Sequence, residues 1–186
     1  MGAIHEKWQL ILNELHTALN AVDEEQAERL VDAVLAAEKV FTIGVGRVFL
    51  SLQAFVKRLN HLGIPSWHVG AINEPAITPR DLLIVASGSG ESAIPVAIAR
   101  IARQHGAHIA HIGSNAGSSL APLSEVFVRI PVKTKLARPD EIPSAQIMSS
   151  LFEQCVLLLL DGIALRIAER KHLAIGSFRA FHANLE

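Results

Sequence analysis

The stretch Leu83-Ile84-Val85-Ala86-Ser87-Gly88-Ser89-Gly90-Glu91-Ser92 runs from a β-branched apolar segment straight into a turn of serines and glycines. A segment of helical period follows over residues 93–103. This order sets three hydroxyls and two glycines between a buried strand and a helix N-terminus. The first turn of a helix leaves backbone N–H groups unpaired and carries partial positive charge, so it attracts phosphate. Glycine lets the backbone approach a ligand closely and take positive φ. Ser87, Ser89 and Ser92 can each donate a hydroxyl proton to a phosphate oxygen. Taken alone, the composition fits a helix cap as well as a phosphate cradle. Its position favours the cradle, because open parallel sheets bind ligands at the carboxyl ends of their strands. Neither Gly-x-x-x-x-Gly-Lys-Ser/Thr nor a complete Gly-x-Gly-x-x-Gly occurs, which points away from nucleotides and toward a smaller phosphorylated metabolite.

Strand-like and helix-like segments alternate on both sides of this turn. Two amphipathic helices open the chain, one with Trp8, Ile11, Leu12, Leu15 and Leu19 on a face, the other with Ala27, Leu30, Val31, Val34 and Leu35. Asp23 is placed to cap the second. Val40-Phe41-Thr42-Ile43 reads as a strand, Gly44-Val45-Gly46-Arg47 as a turn, and residues 48–62 as a helix. Further strands are expected near residues 66–69, 82–86, 108–112 and 126–132, with a helix ending near Gln104. A polar loop over residues 133–143 precedes a long apolar helix over residues 144–169. The pattern predicts an α/β fold of three layers, α/β/α, with a five-stranded parallel sheet, N-terminal helices and a long C-terminal helix.

The 186 residues suit one domain over residues 1–186, long enough to bury about 70% of the unfolded surface. Half the residues are hydrophobic, and the mean hydropathy is +0.33. That excess points to apolar surface covered between subunits. The net charge is −1 with no basic block, which excludes nucleic acid as the expected partner. The single Cys155 allows no intrachain disulfide and fits a reducing compartment, so a cytoplasmic location is expected. It lies in the run Cys155-Val156-Leu157-Leu158-Leu159-Leu160, bounded by Glu153 and Asp161 and too short to span a bilayer. A buried structural thiol is expected there. No secretion signal and no membrane association are expected.

Four elements carry possible chemistry. Arg47, following Gly46, can pair with phosphate or an oxyanion, or lie on the surface of a first helical turn. The 87–92 turn is the second. Glu153 stands at the head of the most apolar helix, either on a solvated stripe or in a dry site suited to a general base. His182, in Phe181-His182-Ala183-Asn184-Leu185-Glu186, is the fourth, and a histidine so near the C-terminus is commonly a surface residue. The nine histidines offer no two-His helix motif with an accompanying acid, so neither metal nor cofactor is expected. His105, His108 and His111 are read as structural. No Gly-x-Ser-x-Gly elbow with acid and His partners in hydrolase order is evident.

The Ser87-Gly88-Ser89-Gly90-Glu91-Ser92 turn on a five-stranded parallel core resembles the sugar isomerase (SIS) domain, and together with Gly44-Val45-Gly46-Arg47, Met148-Ser149-Ser150-Leu151-Phe152-Glu153-Gln154 and His182-Ala183-Asn184-Leu185-Glu186 it is similar in kind and order to one family of that domain. Within the domain, the chain resembles the 6-phospho-3-hexuloisomerases over essentially its whole length. The resemblance implies a flavodoxin-like SIS fold and a metal-free isomerase that converts D-arabino-3-hexulose 6-phosphate to fructose 6-phosphate through an enediol. It further implies Glu153 as base, His182 as acid/base partner at the oxygens, and Gly46, Arg47, Ser87, Gly88, Ser89 and Ser92 around phosphate and sugar. A homotetramer with active sites near subunit interfaces is implied as well. The family turn continues Gly-x-Gly-Arg-Ser-Gly, whereas Val48 and Phe49 follow Arg47 here. A hydroxyl worth about 1 kcal/mol is thereby replaced by an apolar side chain, and Phe49 is expected to narrow the pocket. Two alternatives stand beside this reading: an isomerase of another sugar phosphate, such as a pentose 5-phosphate, and a non-catalytic phosphosugar sensor.

Overall fold

The structure, a computed structural model, describes residues 2–173. His182 and the ending it belongs to lie outside the described residues.

Two helices come first, α1 (Ala3–Asn20) and α2 (Glu24–Ala36), followed by β1 (Val40–Ile43), α3 (Arg47–His61), β2 (Ser66–His68), β3 (Leu82–Ala86), α4 (Ala93–Gln104), β4 (His108–Gly113), β5 (Val126–Arg129) and α5 (Ser150–Arg170). Asp23 caps α2 as expected, its carboxylate accepting the Gln26 amide at 3.0 Å. The five strands form one parallel sheet in the order β2-β1-β3-β4-β5. β1 and β3 are buried at every position, which is why β3 reads as an unbroken apolar run and β1 departs from one only at Thr42.

Strand side chains alternate between two cores. Val40, Leu82, Ile84 and Ala86 pack with Ala18 of α1, Leu30 and Val34 of α2, Leu52 and Phe55 of α3, and Phe152 and Val156 of α5. Phe41, Ile43, Leu83 and Val85 pack with Val96, Ala99 and Ala102 of α4. Among the described residues the outer layers are therefore unequal: α1, α2, α3 and α5 cover one face and α4 covers the other.

The strand order fixes where a ligand can sit. From β1 the chain crosses outward to β2, and from β3 it crosses the opposite way to β4 and β5. Between β1 and β3 the connections diverge and leave a crevice at the carboxyl ends of the strands. The Gly44-Val45-Gly46-Arg47 turn and the serine turn are the two loops that flank it.

The largest differences from the expected boundaries lie at the start of α5 and the end of β5, and one helix face also differs. α5 begins at Ser150, not at 144, because Met148 takes φ 55° and Ser149 is non-helical. β5 ends at Arg129, not at Val132. Pro131 offers no amide to a ladder, and Val132 instead bridges Ile142. On α1 the inner face carries Leu15, Ala18 and Leu19, while Trp8 and Leu12 are more than half exposed with Ile4 beside them. Among the described residues no helix is long and apolar enough to cross a membrane. Cys155 is fully buried, and burial pushes its thiol up to about 12, in keeping with a structural role.

Candidate active site

A cavity of about 550 Å³ opens in the crevice. Gly46, Arg47 and Val48 line it from the turn after β1, and Ser87, Gly88, Ser89, Glu91 and Ser92 from the turn after β3. Thr134 and Lys135 come from the loop after β5, and Met148, Ser149, Phe152 and Glu153 from the head of α5. Every site residue expected from the sequence within the described region therefore borders this one space.

The serine turn is more than a helix cap. Ser92 occupies the N-cap position of α4, yet its side chain makes no capping hydrogen bond. Its oxygen instead accepts the Ser87 hydroxyl at 3.2 Å. Ser89 Oγ accepts the Glu91 amide at 3.2 Å, and the Ser87 oxygens receive the Gly90 amide. Gly90 has φ 68°, and a Cβ there would lie 2.3 Å from the Ser118 side chain, so the turn requires glycine. Neighbouring loops tie the turn down from behind. Asn115 Nδ2 donates to the Ser89 carbonyl at 3.2 Å, and the Ser114 amide donates to the Gly88 carbonyl at 2.9 Å. Glu91 accepts both the hydroxyl and the amide of Ser119, and these bonds hold its carboxyl below the usual carboxylate range. The amides of Gly88 and Ser89 have no acceptor among the described residues. Two free amides, three hydroxyls and a helix N-terminus converge where an anion fits.

Glu153 lies in the first turn of α5 and is 9% exposed. Its Oε2 accepts Arg47 Nε at 2.5 Å, and its Oε1 accepts the Ser149 hydroxyl at 3.1 Å. Ser51 on α3 donates to the Glu153 carbonyl at 3.0 Å, clamping the two helices together at the site. The sequence left Glu153 between a solvated stripe and a dry site; it is buried and ion-paired. Arg47, whose expected partner was phosphate or an oxyanion, holds this carboxylate. Such a carboxylate at a cavity wall can take up a proton from a bound carbon acid, and the guanidinium beside it can keep its orientation.

The expectation that Phe49 narrows the pocket is not met. Phe49 packs edge-on against His68, with ring centroids 5.1 Å apart, and does not line the cavity. Val48 does line it, so the missing hydroxyl is the part of the departure that reaches the site.

The sequence reading missed Thr134, Lys135 and Ser149. Thr134 is held by Glu141, whose carboxylate accepts both its amide and its hydroxyl. That brace presents the adjacent Lys135 at the cavity rim. With Arg47 engaged by Glu153, Lys135 is the other cation lining the space among the described residues. The local signal was there, a Thr-Lys pair followed by a glutamate seven residues past the threonine. Nothing local said that this loop folds back over the crevice. Among the described residues no three His, Cys, Asp or Glu side chains come together as a metal site.

A five-stranded parallel sheet with a serine turn at its switch point is the architecture of a phosphosugar-binding domain, and the SIS domain family model matches residues 34–160. The chain belongs to the SIS domain family. It is 35% identical over 176 residues to a 3-hexulose-6-phosphate isomerase of Bacillus subtilis, covering 95% of each chain. It is 34% identical to the enzyme of the same name from Mycobacterium gastri, covering 95% of this chain and 88% of that one. Among solved structures it is similar to a Methanococcus jannaschii protein for which a molecular function of 3-hexulose-6-phosphate isomerase has been inferred. The TM-score is 0.81 at 27% identity, covering 97% of this chain and 99% of the other.

Proposed function

We propose that this chain is a cytoplasmic sugar-phosphate isomerase that interconverts D-arabino-3-hexulose 6-phosphate and fructose 6-phosphate through an enediol. The observation that carries the reading is the meeting of two parts in one cavity: an anion cradle at residues 87–92 and the buried carboxylate of Glu153. Relatives named for this reaction, matched over nearly the whole chain, support it.

The cradle and Lys135 hold the phosphate, and that remote binding energy places the reacting carbons beside Glu153. Glu153 takes the proton from carbon 2 while the oxygen on carbon 3 gains one, giving the enediol. The proton then returns to carbon 3 as the hydroxyl on carbon 2 loses its own, leaving the carbonyl on carbon 2. His182 is assigned the oxygen protons. No step uses a metal, so turnover is expected to be indifferent to chelator. The buried, unionised Cys155 fits a reducing compartment.

We further assign the chain to a homotetramer with active sites near its interfaces. Ile4, Trp8 and Leu12 form an exposed apolar stripe on α1, and Leu158 and Leu165 expose apolar surface on α5. Monomeric proteins seldom leave such surface open.

The test is a substrate panel assayed for ketose product: D-arabino-3-hexulose 6-phosphate, a pentose 5-phosphate, and each unphosphorylated sugar. Turnover of the hexulose phosphate alone supports the assignment. Preference for the pentose phosphate would reassign the substrate, and saturable binding with no turnover of either would make the chain a sensor.

A further inference from the structure

The serine turn rests on an imidazole. His111, on β4, is fully buried, and its Nε2 lies 3.1 Å from the Ser87 carbonyl oxygen. A carbonyl oxygen only accepts, so Nε2 carries the proton and donates it. Burial pushes the ring down to about 4, against the opposing hydrogen bond to Ser87, so it is neutral at pH 7 and its Nδ1 is bare. Nδ1 has no hydrogen-bond partner among the described residues, as suits a nitrogen with no proton to place.

The fold makes room for this ring. A Cβ at Gly113 would stand 2.4 Å from His111 Nε2, and one at Gly90 would stand 3.2 Å from His111 Cε1. Phe127 on β5 packs on the ring from the side, with centroids 5.0 Å apart.

The Ser87 carbonyl also accepts the Gly90 amide at 3.1 Å, so two donors fix the plane of the Ser87–Gly88 peptide. That peptide is trans. In a trans peptide the carbonyl and the following N–H point in opposite directions. A carbonyl held inward on His111 therefore turns the Gly88 amide away from the core, and Gly88 lines the cavity.

We propose that His111 is a positioning residue for the substrate phosphate: by holding the Ser87 carbonyl it aims the Gly88 amide into the cavity and keeps the Ser87 hydroxyl in register with Ser92. The inference rests on the reading of residues 87–92 as a phosphate cradle. His111 touches no substrate itself, and its effect reaches the ligand through one peptide plane.

The experiment measures KM, kcat and competitive inhibition by inorganic phosphate for wild type, His111→Leu and His111→Gln, with thermal midpoints alongside. Leucine fills the space without the donor, whereas the glutamine amide nitrogen can reach the place of Nε2. The expected result is a rise of about tenfold in both KM and the phosphate inhibition constant for His111→Leu, with kcat within about twofold, the size expected for one lost hydrogen bond. His111→Gln should recover most of it. Unchanged KM and phosphate inhibition in a His111→Leu enzyme that is merely less stable would overturn the proposal. If His111→Leu does not fold, histidine-selective nitrogen NMR of the wild type decides. An Nε2–H tautomer whose resonance moves on saturation with inorganic phosphate supports the proposal, and an Nδ1–H tautomer or an unmoved resonance overturns it. Wild type indifferent to inorganic phosphate would instead bring down the cradle reading, and the proposal with it.

Discussion

At the scale of single residues, the candidate site joins two side chains separated by 106 positions in the chain, Arg47 and Glu153. Each could be picked from the sequence as a candidate, but their pairing could not, because only the fold joins the turn after β1 to the head of α5. If Arg47 serves to orient Glu153, Arg47→Lys should lower kcat by about tenfold with a smaller change in KM, since a lysine cannot present the planar Nε donor. Steady-state kinetics on the purified variant checks this, and an effect on KM alone would place Arg47 on the phosphate instead. Gly90 shows the opposite kind of legibility. A glycine in a serine turn advertised its own backbone freedom, and φ 68° fulfils it. Gly90→Ala should cost at least about 1–2 kcal/mol from the left-handed backbone alone, with more from contact with Ser118. Thermal unfolding measures it.

At the scale of elements, β3 and the α4 helix were readable because burial on both faces leaves an unbroken apolar run and a cap-like turn marks a start. The head of α5 was not. Apolar periodicity carries back through Ile147, whereas the positive φ of Met148 breaks the helix there. The segment over residues 144–149 is pinned to α1: Glu14 accepts the Ser144 hydroxyl, the Ala145 amide and the Gln146 side-chain amide. Burial alone would raise the Glu14 carboxyl, but these three bonds outweigh it and hold the carboxyl below its ordinary value. Because Met148 and Ser149 line the cavity, this anchor on α1 supports the site from behind. Glu14→Ala should lower stability by about 1 kcal/mol and reduce kcat severalfold. Unfolding and kinetics on the same preparation test both, and a stability loss with full activity would separate the anchor from the site.

At the scale of the whole molecule, the apolar excess in the composition was legible, but its location was not. The sequence pattern placed Trp8 and Leu12 on the packed face of α1, where the fold instead leaves them exposed beside Ile4. Light scattering should report four times the 20.1 kDa chain mass, and Trp8→Glu should shift it to a smaller species. The buried His111 gives the molecule an acid limit. Its folded value of about 4 lies below its ordinary 6.5, so between those values the unfolded chain binds the extra proton. Stability is then full above about pH 6.5 and falls by about 3 kcal/mol as pH drops toward 4. Urea unfolding at pH 7 and at pH 4.5 should show the decline, and His111→Gln should flatten it. In the proposed reaction Glu153 removes the proton from a phosphate-anchored ketose. This role is tested most directly by single-turnover conversion of saturating D-arabino-3-hexulose 6-phosphate by wild type and Glu153→Gln. Wild type should give fructose 6-phosphate, and Glu153→Gln should be slower by about 10²- to 10⁴-fold with substrate still bound. Equal rates from the two proteins would contradict it.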